Sequence, residues 1–400
     1  MYLRASVGLF GWLLVRAGGQ VILVIVLARL LGAAGYGQFI TVLAVATFFS
    51  AVAGLGLPGV LLRDGARHPQ AIAQQYKTAL RLWWLSTTTV GAIGAVTAVL
   101  VLPNHVRGAV AALVLAEVVS ASLVELLARV QQALHRTHRY GAMLAGLVLV
   151  RAAALAVYAL LTRPDVDGWM WIYAASSLTY ATFLLVYARR EFRPMRTAGV
   201  PVWPLVREGV PFVVGGLSLR LQAEFNKPVL AQLGFALAGN FNAAQRALDI
   251  ASLPLIAMQE ALWARLYASP DHEHRMWITA ALLVLLALGG GVILYLLAPL
   301  TPLLLGPGFE PAVHLLQWLA WLPAMQVARN FVNFQALATY RTNLLTLASI
   351  IAGIASIMLN IYLIDAYGLA GAVSAAYLTE LAGMIALVTM QYFTRSVVRS

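Results

Sequence analysis

The sequence predicts an all-α polytopic membrane protein, with about twelve transmembrane helices in two six-helix halves. Composition is the first reason. Of 400 residues, 61% are hydrophobic and only 10% are charged. Soluble domains carry about 25% charged residues. Mean hydropathy is +0.82. The second reason is where the charges sit: they are sorted by loop, as membrane topology sorts them.

A helix needs roughly 20 apolar residues to cross the hydrocarbon core. Windows of that kind fall at about 7–31, 38–62, 79–102, 106–128, 141–162, 168–188, 207–234, 236–262, 277–300, 311–338, 344–364 and 369–392. Polar breaks such as RDGARHPQ (63–70) and TRPDVDG (162–168) separate most of them. The joints at 32–37 and 234–239 are short and almost uncharged, so those hairpins are tight.

Eighteen of the 27 Lys and Arg residues fall on the side of the N-terminus, two (Arg107 and Arg163) on the other, and seven within spans. An excess of this kind marks cytoplasmic loops and places both termini in the cytoplasm. The first span then serves as an uncleaved anchor, because no small-residue cleavage site follows a short apolar core. The pI near 10.2 is explained by topology and argues no nucleic-acid partner. Cys is absent, which excludes disulfides and thiolate chemistry. Trp83, Trp84, Trp263 and Trp277 fall near inner ends, and Trp169 and Trp171 near an outer end, as interfacial anchors do.

The Arg- and Pro-rich connection at 191–206 lies midway along the spans. It divides an N-terminal six-helix half, 1–190, from a C-terminal one, 207–400. Both halves start on the cytoplasmic side, so they are parallel repeats about the membrane normal. A weak internal repeat agrees. ARLLGAAGYGQF (28–39), followed by GLP at 56–58, corresponds to AQLGFALAGNFN (231–242), followed by SLP at 252–254.

ARLLGAAGYGQF, LLRDGAR (61–67) and LLLGPGFEPAVHLLQWLA (303–320), in that order, resemble the oligosaccharide or O-antigen flippases. These Wzx-type proteins share a superfamily with multidrug and toxin extrusion transporters and lipid II flippases. The resemblance spans most of the chain, which is shorter than lipid II flippases, with their two further helices. It implies two six-helix bundles around a central cavity in the bacterial cytoplasmic (inner) membrane. The implied activity is alternating access that moves a polyprenyl-diphosphate-linked oligosaccharide from the inner to the outer leaflet. The implied partners are that lipid, the surrounding membrane lipids and polysaccharide polymerase machinery. No cofactor or metal is implied; H⁺ or Na⁺ is the candidate coupling ion, on the ground of the span carboxylates Glu224 and Asp249 rather than of the resemblance.

The spans hold seven basic residues: Arg16, Arg29, Arg151, Arg220, Lys227, Arg246 and Arg329. Acids accompany them at Glu117, Glu125, Glu224, Asp249, Glu260 and Glu380. Each charge at the bilayer centre costs on the order of 2.5–3.5 kcal/mol on insertion scales, so each needs a partner or a wet surface. In SLRLQAEFNKP (218–228), Arg220, Glu224 and Lys227 are spaced to share one helical stripe. In the resembled fold the first, second, seventh and eighth helices line the cavity. That makes Arg16, Arg220, Lys227 and Arg246 the diphosphate-binding set. Arg329, in a polar face with Gln326, Asn330 and Asn333, either lines the cavity or bonds between helices. Arg suits such cargo because it grips phosphate bidentately and keeps its charge at any pH. The same spacing allows self-neutralising pairs, Arg220 with Glu224 and Arg246 with Asp249. Glu224 and Asp249 are also the coupling candidates. Arg29 lies near a span end, where it can snorkel. Arg151 has Glu117 or Glu380 as a structural partner.

Two other function classes fit less well. An intramembrane polymerase or glycosyltransferase needs a large outer loop or domain, and no nucleophile elbow, P-loop or nucleotide fingerprint is present. DHEHR (271–275) is metal-like in composition but reads as a solvated turn. A cation-coupled drug exporter of the same superfamily would want acids to dominate its cavity, whereas bases exceed acids on the first, seventh and tenth spans.

Overall fold

In a computed structural model, residues 2–68, 72–102, 107–161, 164–191, 201–267, 272–338 and 342–399 are described. Every regular element among them is helical. In order these are α1 (Tyr2–Ala53), α2 (Leu57–Arg67), α3 (Ile72–Val101), α4 (Arg107–Ala133), α5 (Thr137–Leu161), α6 (Val166–Glu191) and α7 (Val202–Glu224). They continue with α8 (Asn226–Leu233), α9 (Phe235–Tyr267), α10 (His272–Leu297), α11 (Thr301–Leu305), α12 (Glu310–Leu319), α13 (Leu322–Ala338) and α14 (Thr342–Arg399). A 3₁₀ turn at Ala298–Leu300 joins α10 to α11.

Seven segments among the described residues are long and apolar enough to cross a membrane: Phe10–Ala53, Gln74–Val101, Arg107–Ala133, Thr137–Leu161, Val166–Glu191, Met276–Leu305 and Asn343–Phe393. The chain is a multi-pass membrane protein. The first and last of these run for 44 and 51 residues. At 1.5 Å per residue each exceeds twice a hydrocarbon core of about 30 Å. Both are interrupted by a non-helical glycine, Gly32 (φ 66°, ψ 176°) and Gly368 (φ 56°, ψ −126°).

The expected spans 207–234 and 311–338 are each two helices rather than one. Prolines explain both breaks. Pro228 has no N–H to give the Glu224 carbonyl, and α7 stops there. Pro323 does the same to the Leu319 carbonyl, at the end of α12.

The chain forms two compact units, Met1–Arg220 and Leu221–Ser400, and the division falls inside α7. In the first unit α1 packs on α5, α4 and α3, while α4 also packs on α6 and α2. Leu57, Leu61, Trp83, Leu123, Leu127 and Leu184 share its core with Leu205 of α7. One face of α7 thus docks on this unit: Glu208 pairs with Arg63, and Gly209 lies against the turn at Leu55 and Gly56. A Cβ on Gly56 would collide with the Gly209 carbonyl, and one on Gly209 with the Leu55 carbonyl. Gly56 also holds φ at +68°, a value side chains disfavour.

The tryptophans divide against expectation. Trp83 and Trp169 are fully buried rather than interfacial. Trp83 donates to Ser122 Oγ at 2.8 Å, and Trp169 packs on Phe39 and Tyr173. Each helical position turns by about 100°, so Trp84, one position after Trp83, and Trp171, two after Trp169, are exposed where Trp83 and Trp169 face the core.

In the second unit α9 packs on α8, α10 and α12, and α14 packs on α13 and α8. Leu230, Phe241, Leu248, Leu315, Leu319 and Ile364 fill one core. Residues 192–200 of the expected linker, Arg163 and Asp271 lie outside the described residues, as do the side chains of Glu260, Trp263 and 272–275.

Candidate functional site

The sequence-chosen residues fall in three places. The first is in the N-terminal unit. Arg16, on α1, is half-buried, and Arg220, on α7, is exposed. Neither forms a hydrogen bond or ion pair among the described residues. Arg220, Glu125 and Tyr140 are near enough to act electrostatically on Arg16. Glu125 was expected to be a buried acid, but its side chain is 55% exposed and lies 3.8 Å from Arg129. Two guanidinium groups therefore stand within electrostatic reach of one another, and neither has an ion pair among the described residues. The two like charges repel one another, while the Glu125 carboxylate attracts Arg16.

The second place is the α7–α8 break in the C-terminal unit. The stripe expected over Arg220, Glu224 and Lys227 splits there. Arg220 is exposed, whereas Glu224 is 7% and Lys227 0% exposed. Lys227 Nζ pairs with Glu224 Oε2 and lies 3.4 Å from the Ala223 carbonyl. Arg246 Nη2 reaches Glu224 Oε1 at 3.4 Å, and Arg246 Nη1 reaches Asp249 Oδ2 at 3.4 Å. The pair Arg246–Asp249 is therefore formed, and the pair Arg220–Glu224 is not, because Lys227 and Arg246 hold Glu224 instead. Lys227 is enclosed rather than presented to cargo. Arg246 keeps a partly accessible side chain, with Glu224 and Asp249 among its partners.

The third place is α13. Arg329 Nη1 donates to Glu380 Oε2 at 2.7 Å and to Gln222 Oε1 at 2.9 Å. Gln326 Nε2 donates to Glu380 Oε1 at 3.3 Å, and Asn330 to Gln259 at 3.4 Å. Gly383 lies so close that a Cβ there would sit 3.0 Å from Arg329 Cζ. Of the two roles open to the polar face, these contacts serve bonding between helices. Spacing in the sequence gave no sign of Gln222 or Glu380 as partners, since they sit 107 and 51 residues from Arg329.

Arg151 pairs with Glu117, not Glu380, in the buried interior of the first unit. Tyr173 donates to the same carboxylate at 2.8 Å, and Arg151 donates to Ser177 Oγ at 2.9 Å. This network is complete without a ligand. Arg29 is exposed, in keeping with a place near a span end.

Solved transporters share the fold. Lipid II flippase MurJ, in an inward closed conformation, aligns with a TM-score of 0.75 at 12% identity, over 98% of this chain and 87% of that one. An inward-facing multidrug resistance MATE family transporter of the MOP superfamily aligns at 0.71 and 13% identity, over 96% of both chains. A MOP superfamily transporter from Pyrococcus furiosus, described for the reverse polarity of its binding pocket, aligns at 0.65 and 14% identity, over 99% and 95%. No curated protein matches the sequence. Residues 9–263, more than half of the chain, match the family described as polysaccharide biosynthesis protein, and the chain belongs to that family.

Proposed function

We propose that this protein flips a polyprenyl-diphosphate-linked oligosaccharide from the inner to the outer leaflet of the cytoplasmic membrane. The observation that carries the reading is the pair Arg16 and Arg220: two arginines, close enough to act on one another, with no ion pair among the described residues. A diphosphate is the anion such a pair fits. Each contact at about 4 Å and an effective dielectric near 20 contributes roughly 4 kcal/mol before desolvation. The polyprenyl tail stays in lipid. A membrane potential of about 100 mV, negative inside, would release roughly 4.6 kcal/mol as two negative charges leave the cell.

In this reading each glycine-broken segment makes two crossings. With α7–α8, α9 and α12–α13 counted as one crossing each, the total is twelve, with both termini cytoplasmic. Asp249 is the coupling carboxylate for H⁺ or Na⁺, since Glu224 is committed to Lys227.

Export of organic cations is the second reading, favoured by the fold shared with multidrug transporters. Two arginines with no ion pair among the described residues repel such cargo. Purified protein in liposomes separates the two. Flipping of the diphosphate-linked glycan, without uptake of a cationic dye, supports the proposal; the reverse pattern overturns it.

A further inference from the structure

Beside Arg16 the first unit gathers aromatic rings and a carboxylate for which a phosphate grip has no use. Trp12 sits one turn before Arg16 on α1, and so on the same face. Its ring meets that of His138 edge-on, with centroids 5.5 Å apart. Its indole N–H makes no hydrogen bond among the described residues. Tyr140, on α5, is near enough to act on Arg16, and the Arg129 guanidinium lies 5.8 Å from its ring centroid. Glu125, on α4, also acts on Arg16; its carboxylate lies 3.8 Å from Arg129 and its side chain is 55% exposed. Gln132 completes the group, with its oxygen accepting from Arg129 at 2.8 Å.

Three helices thus bring aromatic rings and hydroxyl-binding groups to one arginine. A diphosphate would use none of the aromatic area, and lipid tails would reject the carboxylate. A sugar ring suits both. Its C–H faces are apolar and lie flat on an aromatic ring, while its edge hydroxyls reach carboxylate and amide oxygens. Rigid aromatics with a polar handle supply contact area at small entropy cost.

Resting on the reading of Arg16 and Arg220 as the phosphate grip, we propose that Trp12, Tyr140 and Glu125 form the subsite that reads the sugar attached to the diphosphate. Arg16 fixes the phosphate, and these three residues select the sugar bonded to it. The Glu125 charge favours a neutral or amino sugar over an acidic one.

The test compares two ligands on the purified full-length protein: bare polyprenyl diphosphate and the same lipid carrying its oligosaccharide. The expected result is that Trp12→Leu and Glu125→Gln each lose roughly ten-fold affinity for the glycosylated lipid alone, a factor worth about 1.4 kcal/mol. Trp12→Phe, which keeps a ring, retains most of the preference. Arg16→Ala/Arg220→Ala weakens both ligands, which reports on the phosphate grip separately. Thermal unfolding of each variant shows that the fold is intact. Equal loss for both ligands in Trp12→Leu and Glu125→Gln, or no loss for either, overturns the sugar subsite and leaves the phosphate grip standing. Failure of the wild type to bind either lipid overturns both.

Discussion

Lys227 is wholly buried, and the carboxylate that holds it belongs to Glu224, three residues earlier and across the break between α7 and α8. This pair decides which charges in SLRLQAEFNKP are structural. Glu224 is bound on both oxygens, one by Lys227 and one by Arg246, so Arg220 is left without it.

Removing one member of a buried ion pair strands the other, at a cost of about 3–5 kcal/mol. Lys227→Met and Glu224→Gln are therefore expected to lower the unfolding temperature of the detergent-solubilised protein. The double variant recovers part of the loss. Arg220→Ala leaves the temperature nearly unchanged, because no hydrogen bond or ion pair among the described residues is lost. A neutral Lys227→Met would show that the pair does not hold the α7–α8 break.

Gly209 makes a second, sharper prediction. Alanine there meets the Leu55 carbonyl directly, so backbone must move. The expected loss is roughly 1–3 kcal/mol. Gly216→Ala, on the same helix with nothing within 4 Å of the new carbon, should be neutral or stabilising. Glu208→Ala removes only a half-exposed ion pair to Arg63 and should cost under about 1 kcal/mol. The three variants are compared by unfolding temperature.

Asp165 gives a pH prediction outside the spans. Tyr158 donates to its Oδ1 at 2.7 Å and the Gly168 N–H to its Oδ2 at 3.2 Å, capping α6. The Tyr158 bond, with the Gly168 bond second, holds this carboxyl below the usual carboxylate range. A depressed pKa adds stability above the unfolded value, about 3.9, which is lost as pH falls through the lower folded value. Wild type should lose this contribution below about pH 4. Asp165→Ala should lack it at every pH, with a cap loss of about 1 kcal/mol at neutral pH. Unfolding temperatures measured from pH 3 to 7 should therefore converge at the acid end. Curves that stay parallel would exclude the cap.

Much of the fold was legible because lipid imposes a simple rule. Each crossing needs a run of apolar residues, and polar breaks such as TRPDVDG mark where runs end. The glycine joint near position 32 was legible too, as a short uncharged link. Facing was not. Hydropathy cannot tell Trp83 from Trp84, yet one is in the core and the other is exposed. The site shows the same limit. Spacing allowed Glu224 to meet Arg220 at i−4 or Lys227 at i+3. The break at Pro228 and the arrival of Arg246 from α9 settled it for Lys227, and neither shows in a periodicity. Glu380 was named as an acid, but its bond to Arg329 joins helices far apart in the chain.

The central claim is that Arg16 and Arg220 together grip a diphosphate. Equilibrium binding of bare polyprenyl diphosphate to purified wild type and to Arg16→Ala/Arg220→Ala tests it most directly. Each charge-assisted bond contributes about 1.5–3 kcal/mol, so the double variant should bind at least about 100-fold more weakly. Its unfolding temperature should not change. Wild-type affinity retained by the double variant would contradict the account.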